Sequence, residues 1–129
     1  MARILVVEND DDVAQLVARC LRTYGHSVTT ARNGFLAKHL VGLDRPIDLV
    51  LLDINLPGTN GFEVLKELRR HPELNQPRLP AIFLSGSSRP EDEQQARALN
   101  ATFLRKPFVS SELQGAVIKA VSRGDEDLQ

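Results

Sequence analysis

Three short apolar runs, Ile4–Val7, Leu49–Leu52 and Ala81–Leu84, constrain this chain more than anything else in it. Each stops at a polar residue, Glu8, Asp53 or Ser85. A run that is apolar at consecutive positions has no wet face, so it reads as a strand buried on both sides in a parallel sheet. The clearest is Leu49-Val50-Leu51-Leu52, which ends at Asp53 and meets Asn55-Leu56-Pro57-Gly58 and Asn60-Gly61. That turn chemistry is dense enough to terminate any strand. Asp53 is therefore placed at the carboxyl end of its strand, in the crevice where open α/β sheets bind ligands and carry out chemistry.

Between these runs the period changes. Val13, Leu16, Val17, Cys20 and Leu21 follow the i, i+3, i+4, i+7, i+8 pattern of an amphipathic helix that ends near Gly25. Ser27 to Ala31 is a weaker strand, and Leu36, Leu40 and Leu43 mark a second helix after Gly34. Val64, Leu65 and Leu68 stripe the helix that follows Asp53. Pro72, Pro77 and Pro80 break the connection to Ala81–Leu84. A polar helix starts near Pro90, with only Ala96 and Leu99 as a buried face. Thr102 to Arg105 is a short fifth strand, and Leu113, Ala116, Val117, Ala120 and Val121 stripe the last helix.

Strands alternating with helices imply right-handed crossovers and a sheet covered on both faces. The second and fifth strands carry polar residues and belong at the edges, which predicts the order 2-1-3-4-5. The fold class is thus α/β, a single doubly wound (βα)5 flavodoxin-like domain over residues 1–123, with 124–129 expected as a disordered acidic tail. The switch point of that order lies between the first and third strands, which end in Glu8 and Asp53. A net charge of -1 gives no support to a nucleic-acid or anionic-membrane surface. One cysteine excludes a disulfide framework and, with no signal-peptide core at the start, points to the cytoplasm. Cys20 continues an apolar stripe and reads as a core residue, and His26, His39 and His71 are scattered without ligand spacing.

Four strand ends, Glu8, Asp53, Ser85 and Lys106, converge on one edge of such a sheet. With Val7-Glu8-Asn9-Asp10, Asp53-Ile54-Asn55-Leu56-Pro57, Gly61, Leu84-Ser85-Gly86 and Lys106-Pro107-Phe108 in this order, the chain resembles the receiver domain of two-component response regulators from about Arg3 to Arg123. The resemblance implies that Asp53 takes a phosphoryl group from a histidine kinase or phosphotransfer protein, and later loses it by self-catalysed hydrolysis. It implies Mg²⁺ on Glu8, position 9, Asp53 and the Asn55 carbonyl, a set that suits a hard cation. Lys106 and Ser85 would serve phosphoryl oxygens, a cis peptide before Pro107 would aim the lysine, and Phe103 would be the aromatic switch moving with Ser85. The downstream protein target would dock on the face of the fourth helix, fifth strand and fifth helix, carrying Glu91, Asp92, Glu93, Gln94 and Arg97.

Asn9 departs from the family pattern, which places an aspartate there. An amide oxygen can still coordinate, but one full charge is missing, and a unit-charge pair at ~4 Å is worth on the order of 4 kcal/mol before desolvation at an effective dielectric of ~20. The alternative reading is a degenerate receiver that docks a protein partner independently of phosphate. Glu8, Asn9 and Asp10 also have a plain role as helix caps, which Asp10 or Asp11 is expected to fill. A haloacid-dehalogenase-type phosphatase would need a second acid where Asn55 stands. A flavodoxin-like cofactor binder would need a Ser/Thr/Gly-rich phosphate loop where Glu8-Asn9-Asp10-Asp11-Asp12 stands.

Overall fold

The computed structural model describes residues 1–41 and 46–127, with side chains described as far as Ser122. Among the described residues, seven strands and five helices follow one another as β1 (Arg3–Val7), α1 (Asp11–Thr23), β2 (Ser27–Ala31), α2 (Gly34–Val41), β3 (Leu49–Asp53), β4 (Asn55–Leu56), β5 (Thr59–Asn60), α3 (Gly61–Arg70), β6 (Ala81–Ser85), α4 (Pro90–Ala98), β7 (Thr102–Arg105) and α5 (Ser110–Asp127). The main sheet is all parallel with the order β2-β1-β3-β6-β7. This is the predicted 2-1-3-4-5 once the small β4–β5 pair is set aside.

The strand period of two divides the core cleanly. Ile4, Val6, Leu49, Leu51, Ile82 and Leu84 pack on one face against Val17 and Leu21 of α1 and Leu113, Val117 and Ala120 of α5. Leu5, Val7, Val50, Leu52, Ala81 and Phe83 pack on the other against α2, α3 and Ala96 of α4. Both faces of the three central strands are therefore dry, which is why their sequences are continuous apolar runs. The edge strands differ as expected, since β2 alternates exposed and half-buried positions until the buried Ala31 and no residue of β7 is buried.

Four details depart from the sequence reading. Leu16 is 66% exposed, and α1 instead buries Ala14, Val17, Ala18 and Leu21. The segment after Asp53 is more than a turn: Asn55 and Leu56 pair antiparallel with Asn60 and Thr59, closed by Pro57 and by Gly58 at φ +74°. On α2, Ala37 and Val41 are the buried residues while Leu36 and Leu40 are half-buried, and Leu43 lies outside the described residues. Finally, α5 continues to Asp127, so the boundary expected at Arg123 falls inside a helix; Leu128 and Gln129 of the expected tail lie outside the described residues.

Candidate functional site at the carboxyl edge of the sheet

Parallel strands present all their carboxyl ends on one edge, and the register here brings the polar residues together. Val7 is level with Leu52, and Asp53 is level with Leu84. Glu8 and Asp53 therefore stand side by side one step past the apolar core, and Ser85 ends the next strand over.

Lys106 binds the cluster together across the whole length of the chain. Its Nζ lies 3.0 Å from Glu8 Oε1 and 3.6 Å from Asp53 Oδ2. The Lys106–Pro107 peptide is cis, as the resemblance implied. The Lys106 N–H donates to the Ser85 carbonyl at 2.7 Å, so the lysine backbone is fixed to β6 while its side chain reaches across β3 to β1. The two acids are not equivalent. Glu8 is 2% exposed, and its Oε2 accepts the Asp10 N–H at 3.1 Å. Asp53 keeps 15% of its side chain exposed, and its Oδ1 accepts the Asn55 N–H at 3.2 Å. Burial pushes the Glu8 carboxyl above its ordinary value; the Asp10 N–H and Lys106 oppose the rise, and the Asp53 charge adds to it. The accessible carboxylate is Asp53.

The remaining predicted site residues fall around this pair. Asn9 and Asn55 are exposed at the same edge. Asp10 is the N-cap of α1, accepting N–H bonds from Asp12 and Val13, so the capping role expected of Asp10 or Asp11 belongs to Asp10. Ser85 is fully buried, and its Oγ accepts the Ser87 N–H at 2.9 Å; it joins the cluster through its backbone carbonyl. Phe103 is half-buried against the core shared with α4, level with Phe83 in the register. Strand alternation puts Phe103 and Ser85 on the same face of the sheet.

Sequence reasoning missed Arg105, whose guanidinium carbon lies 6.0 Å from the Phe103 ring centroid, within cation–π reach. The two residues are i and i+2 on one strand, a spacing that could have revealed the contact. It also understated Gly61. A Cβ there would lie within contact-forbidden range of the Asp53 carbonyl oxygen, and the Gly61 N–H donates to the Ile54 carbonyl at 2.7 Å. Only glycine lets the start of α3 lie this close to the strand that carries Asp53. Gly61→Ala should cost about 1–3 kcal/mol by overpacking and slow any chemistry at Asp53, read by thermal unfolding beside activity. Unchanged values for both would refute that placement.

Among the described residues, no group of three or more His, Cys, Asp or Glu side chains is arranged to hold a metal. The candidate donors are of a different composition: the carboxylates of Glu8 and Asp53, the amide of Asn9 and the Asn55 carbonyl. All four are hard oxygens, and two adjacent carboxylates share a single lysine. That donor set fits Mg²⁺.

The family model of the response regulator receiver domain matches residues 4–118. The chain belongs to the response regulator receiver domain family. Its receiver sequence is 34% identical over 122 residues to a transcriptional regulatory protein, YrkP, of Bacillus subtilis, covering 94% of this chain and 50% of that protein. It is 37% identical over 105 residues to a probable cyclic di-GMP phosphodiesterase of Vibrio cholerae, covering 81% of this chain and 23% of that protein. The receiver therefore spans half or less of the length of these relatives. Among solved structures, the chemotaxis protein CheY4 of Vibrio cholerae superposes with a TM-score of 0.82 at 30% identity, covering 93% of this chain and 98% of that one. Receiver domains of two-component systems interact with histidine kinases or phosphotransfer proteins. Among the described residues, no helix of this receiver is long and apolar enough to cross a membrane.

Proposed function

We propose that this receiver is a cytoplasmic phosphoacceptor module, in which Asp53 takes a phosphoryl group from a histidine kinase or phosphotransfer protein. The observation that carries this reading is the arrangement of Asp53 itself. Its carboxylate is partly exposed, with one oxygen held by the Asn55 N–H and the other facing the Lys106 ammonium. In the transfer an Asp53 oxygen forms a bond to phosphorus as the bond from phosphorus to the donor atom breaks, and the electron pair leaves with the donor. Lys106 offers a compact positive charge to a phosphoryl oxygen. The Ser85 oxygen already accepts from Ser87, which leaves its own O–H free to donate to a second phosphoryl oxygen. Mg²⁺ held by Glu8, Asn9, Asp53 and the Asn55 carbonyl would supply charge neutralisation between carboxylate and phosphoryl group. Water then hydrolyses the acyl phosphate and resets Asp53.

Phosphorylation would be read out through the face formed by α4, β7 and α5. Glu91, Asp92, Glu93, Gln94 and Arg97 make that face polar, which favours a transient protein contact over a permanent apolar one. Ser85 and Phe103 share the face of the sheet beneath α4, so a shift of Ser85 changes the space open to the Phe103 ring.

The test is intact-protein mass after incubation with Mg²⁺ and a small phosphodonor, beside Asp53→Asn. One added phosphoryl mass in the wild type, lost in the variant and lost on chelating the metal, supports the reading. Asn9 favours a second one, a phosphate-independent docking module, because it removes a charge from the donor set. Asn9→Asp separates them. In a working receiver it should tighten Mg²⁺ by on the order of tenfold, ~1.4 kcal/mol, since desolvation offsets most of the Coulomb gain. Calorimetric titration showing Mg²⁺ binding only in the aspartate variant, with no mass adduct in the wild type, would decide for the docking module.

A further inference from the structure

The formal charge of -1 hides a separation of charge between the two edges of the sheet. In this topology each helix starts beside the carboxyl end of the strand before it and ends at the amino edge. Here α1 opens on Asp11 and Asp12, α3 carries Glu63 in its first turn, α5 carries Glu112, and α4 carries three acids from Glu91 to Glu93. The last turns hold bases, Arg22 on α1, Lys38 on α2, Arg70 on α3 and Arg97 on α4. At that same edge Arg69 donates to the Leu79 and Leu99 carbonyls. Acids at helix starts and bases at helix ends each complement the helix dipole. Summed over one fold, they place acidic side chains around Asp53 and basic ones on the opposite edge.

Local cations cancel only part of this acidic rim. Arg32 pairs with Asp11 at 3.1 Å and Lys66 with Glu63 at 3.2 Å, while Glu91 and Glu93 lie 3.6 Å from Arg89 and Arg97. Among the described residues, Asp12, Asp92 and Glu112 have no such cation, and Asp12 and Glu112 are exposed. Lys106 is already shared between Glu8 and Asp53. A donor approaching Asp53 therefore meets a negative field, with a reach set by the Debye length of ~30 Å at ~0.01 M salt and ~8 Å at ~0.15 M.

We infer that this rim selects the phosphodonor by charge, and that the protein which phosphorylates Asp53 carries basic side chains around its phosphohistidine. The inference rests on the reading of Asp53 as phosphoacceptor. In the transfer an Asp53 oxygen bonds to phosphorus as the N–P bond breaks, and that electron pair returns to the imidazole. The travelling group is an anion and is repelled by the rim, so lysines or arginines beside the histidine supply the attraction. Steering of this kind changes association rates by about 10–10³-fold and fades with salt. Asp12 flanks the site from α1, Glu112 from α5 and Asp92 from α4, and the three act as specificity-determining residues.

The test uses the whole chain with Mg²⁺ and two phosphohistidine peptides, identical except that lysines or glutamates flank the histidine. Intact mass over time gives the rate of phosphoryl incorporation. At ~0.01 M salt the lysine peptide should donate at least about tenfold faster than the glutamate peptide. The ratio should fall toward unity at ~1 M salt, where the Debye length is ~3 Å. Joint replacement by Asp12→Asn, Asp92→Asn and Glu112→Gln should lower the low-salt ratio by about threefold or more, a change that a purely capping role for these acids would not produce. The exposed pair Asp12→Asn with Glu112→Gln stands in if the triple variant does not fold. Equal rates from the two peptides, or a ratio that the substitutions leave unchanged, would overturn selection by charge. Incorporation from neither peptide nor from a small phosphodonor would overturn the reading of Asp53, and this inference with it.

Discussion

Lys106→Met is expected to slow phosphoryl incorporation at Asp53 by about 10²–10³-fold, the usual cost of removing one preorganised charge from a transition-state site. Methionine keeps an unbranched stem of similar reach, so the loss isolates the ammonium from its packing. That ammonium is within 4 Å of both Glu8 and Asp53, and its removal leaves two adjacent carboxylates without a cation between them. Breaking a buried ion pair from one side costs about 3–5 kcal/mol when the remaining charge cannot adapt. Here Glu8 can adapt by taking a proton, because its carboxyl is already raised by burial. The stability loss should therefore fall short of that range while the kinetic loss keeps the full size given above. Rates come from the time course of intact mass at fixed phosphodonor and stability from denaturant unfolding. Incorporation within a few fold of the wild type would remove Lys106 from the mechanism.

What could be read from the sequence divides along physical lines. Strands β1, β3 and β6 were legible to within a residue, because burial on both faces forces consecutive apolar residues and leaves their ends marked by Glu8, Asp53 and Ser85. The edge positions of β2 and β7 were legible from the polar residues they tolerate. The stripe on α1 was misassigned at Leu16, since the buried neighbours Ala14 and Ala18 are small and give a weak apolar signal beside a leucine. The β4–β5 pair has strands of two residues, too short to show a period, and so looked like a turn. Within the site, the strand ends named the participants but not their pairing. That Lys106 approaches Glu8 more closely than Asp53 depends on where a chain returns after 98 residues. Arg69 was illegible for the same reason: its partners are backbone carbonyls, which carry no residue identity in a sequence.

Glu8→Gln should separate what this acid does for function from what it costs the fold. In the folded protein its carboxyl is raised above the ordinary carboxylate value, chiefly by burial. Between the ordinary value and the raised one, the native state keeps a proton that the unfolded chain has released. Stability therefore falls as pH rises through that window, and above it the charged Glu8 imposes a constant penalty. Glutamine removes the charge at similar volume, and Lys106 retains Asp53 as a partner at 3.6 Å. With metal chelated, the variant should be more stable than the wild type at pH 7 by on the order of 1 kcal/mol, the scale at which functional strain is relieved. The advantage should shrink as pH is lowered through the window, where the wild-type acid is protonated in the folded state too. Mg²⁺ affinity should fall at least about 10–100-fold in the same variant, and phosphoryl incorporation should fall with it. Denaturant unfolding at a series of pH values, beside calorimetric Mg²⁺ titration, makes the comparison. A variant less stable than the wild type at pH 7, or one that binds Mg²⁺ unchanged, would mean that Glu8 serves the fold and not the site. The expected pairing of greater stability with lost binding would identify Glu8 as an acid kept buried beside Asp53 for the charge it lends to the site.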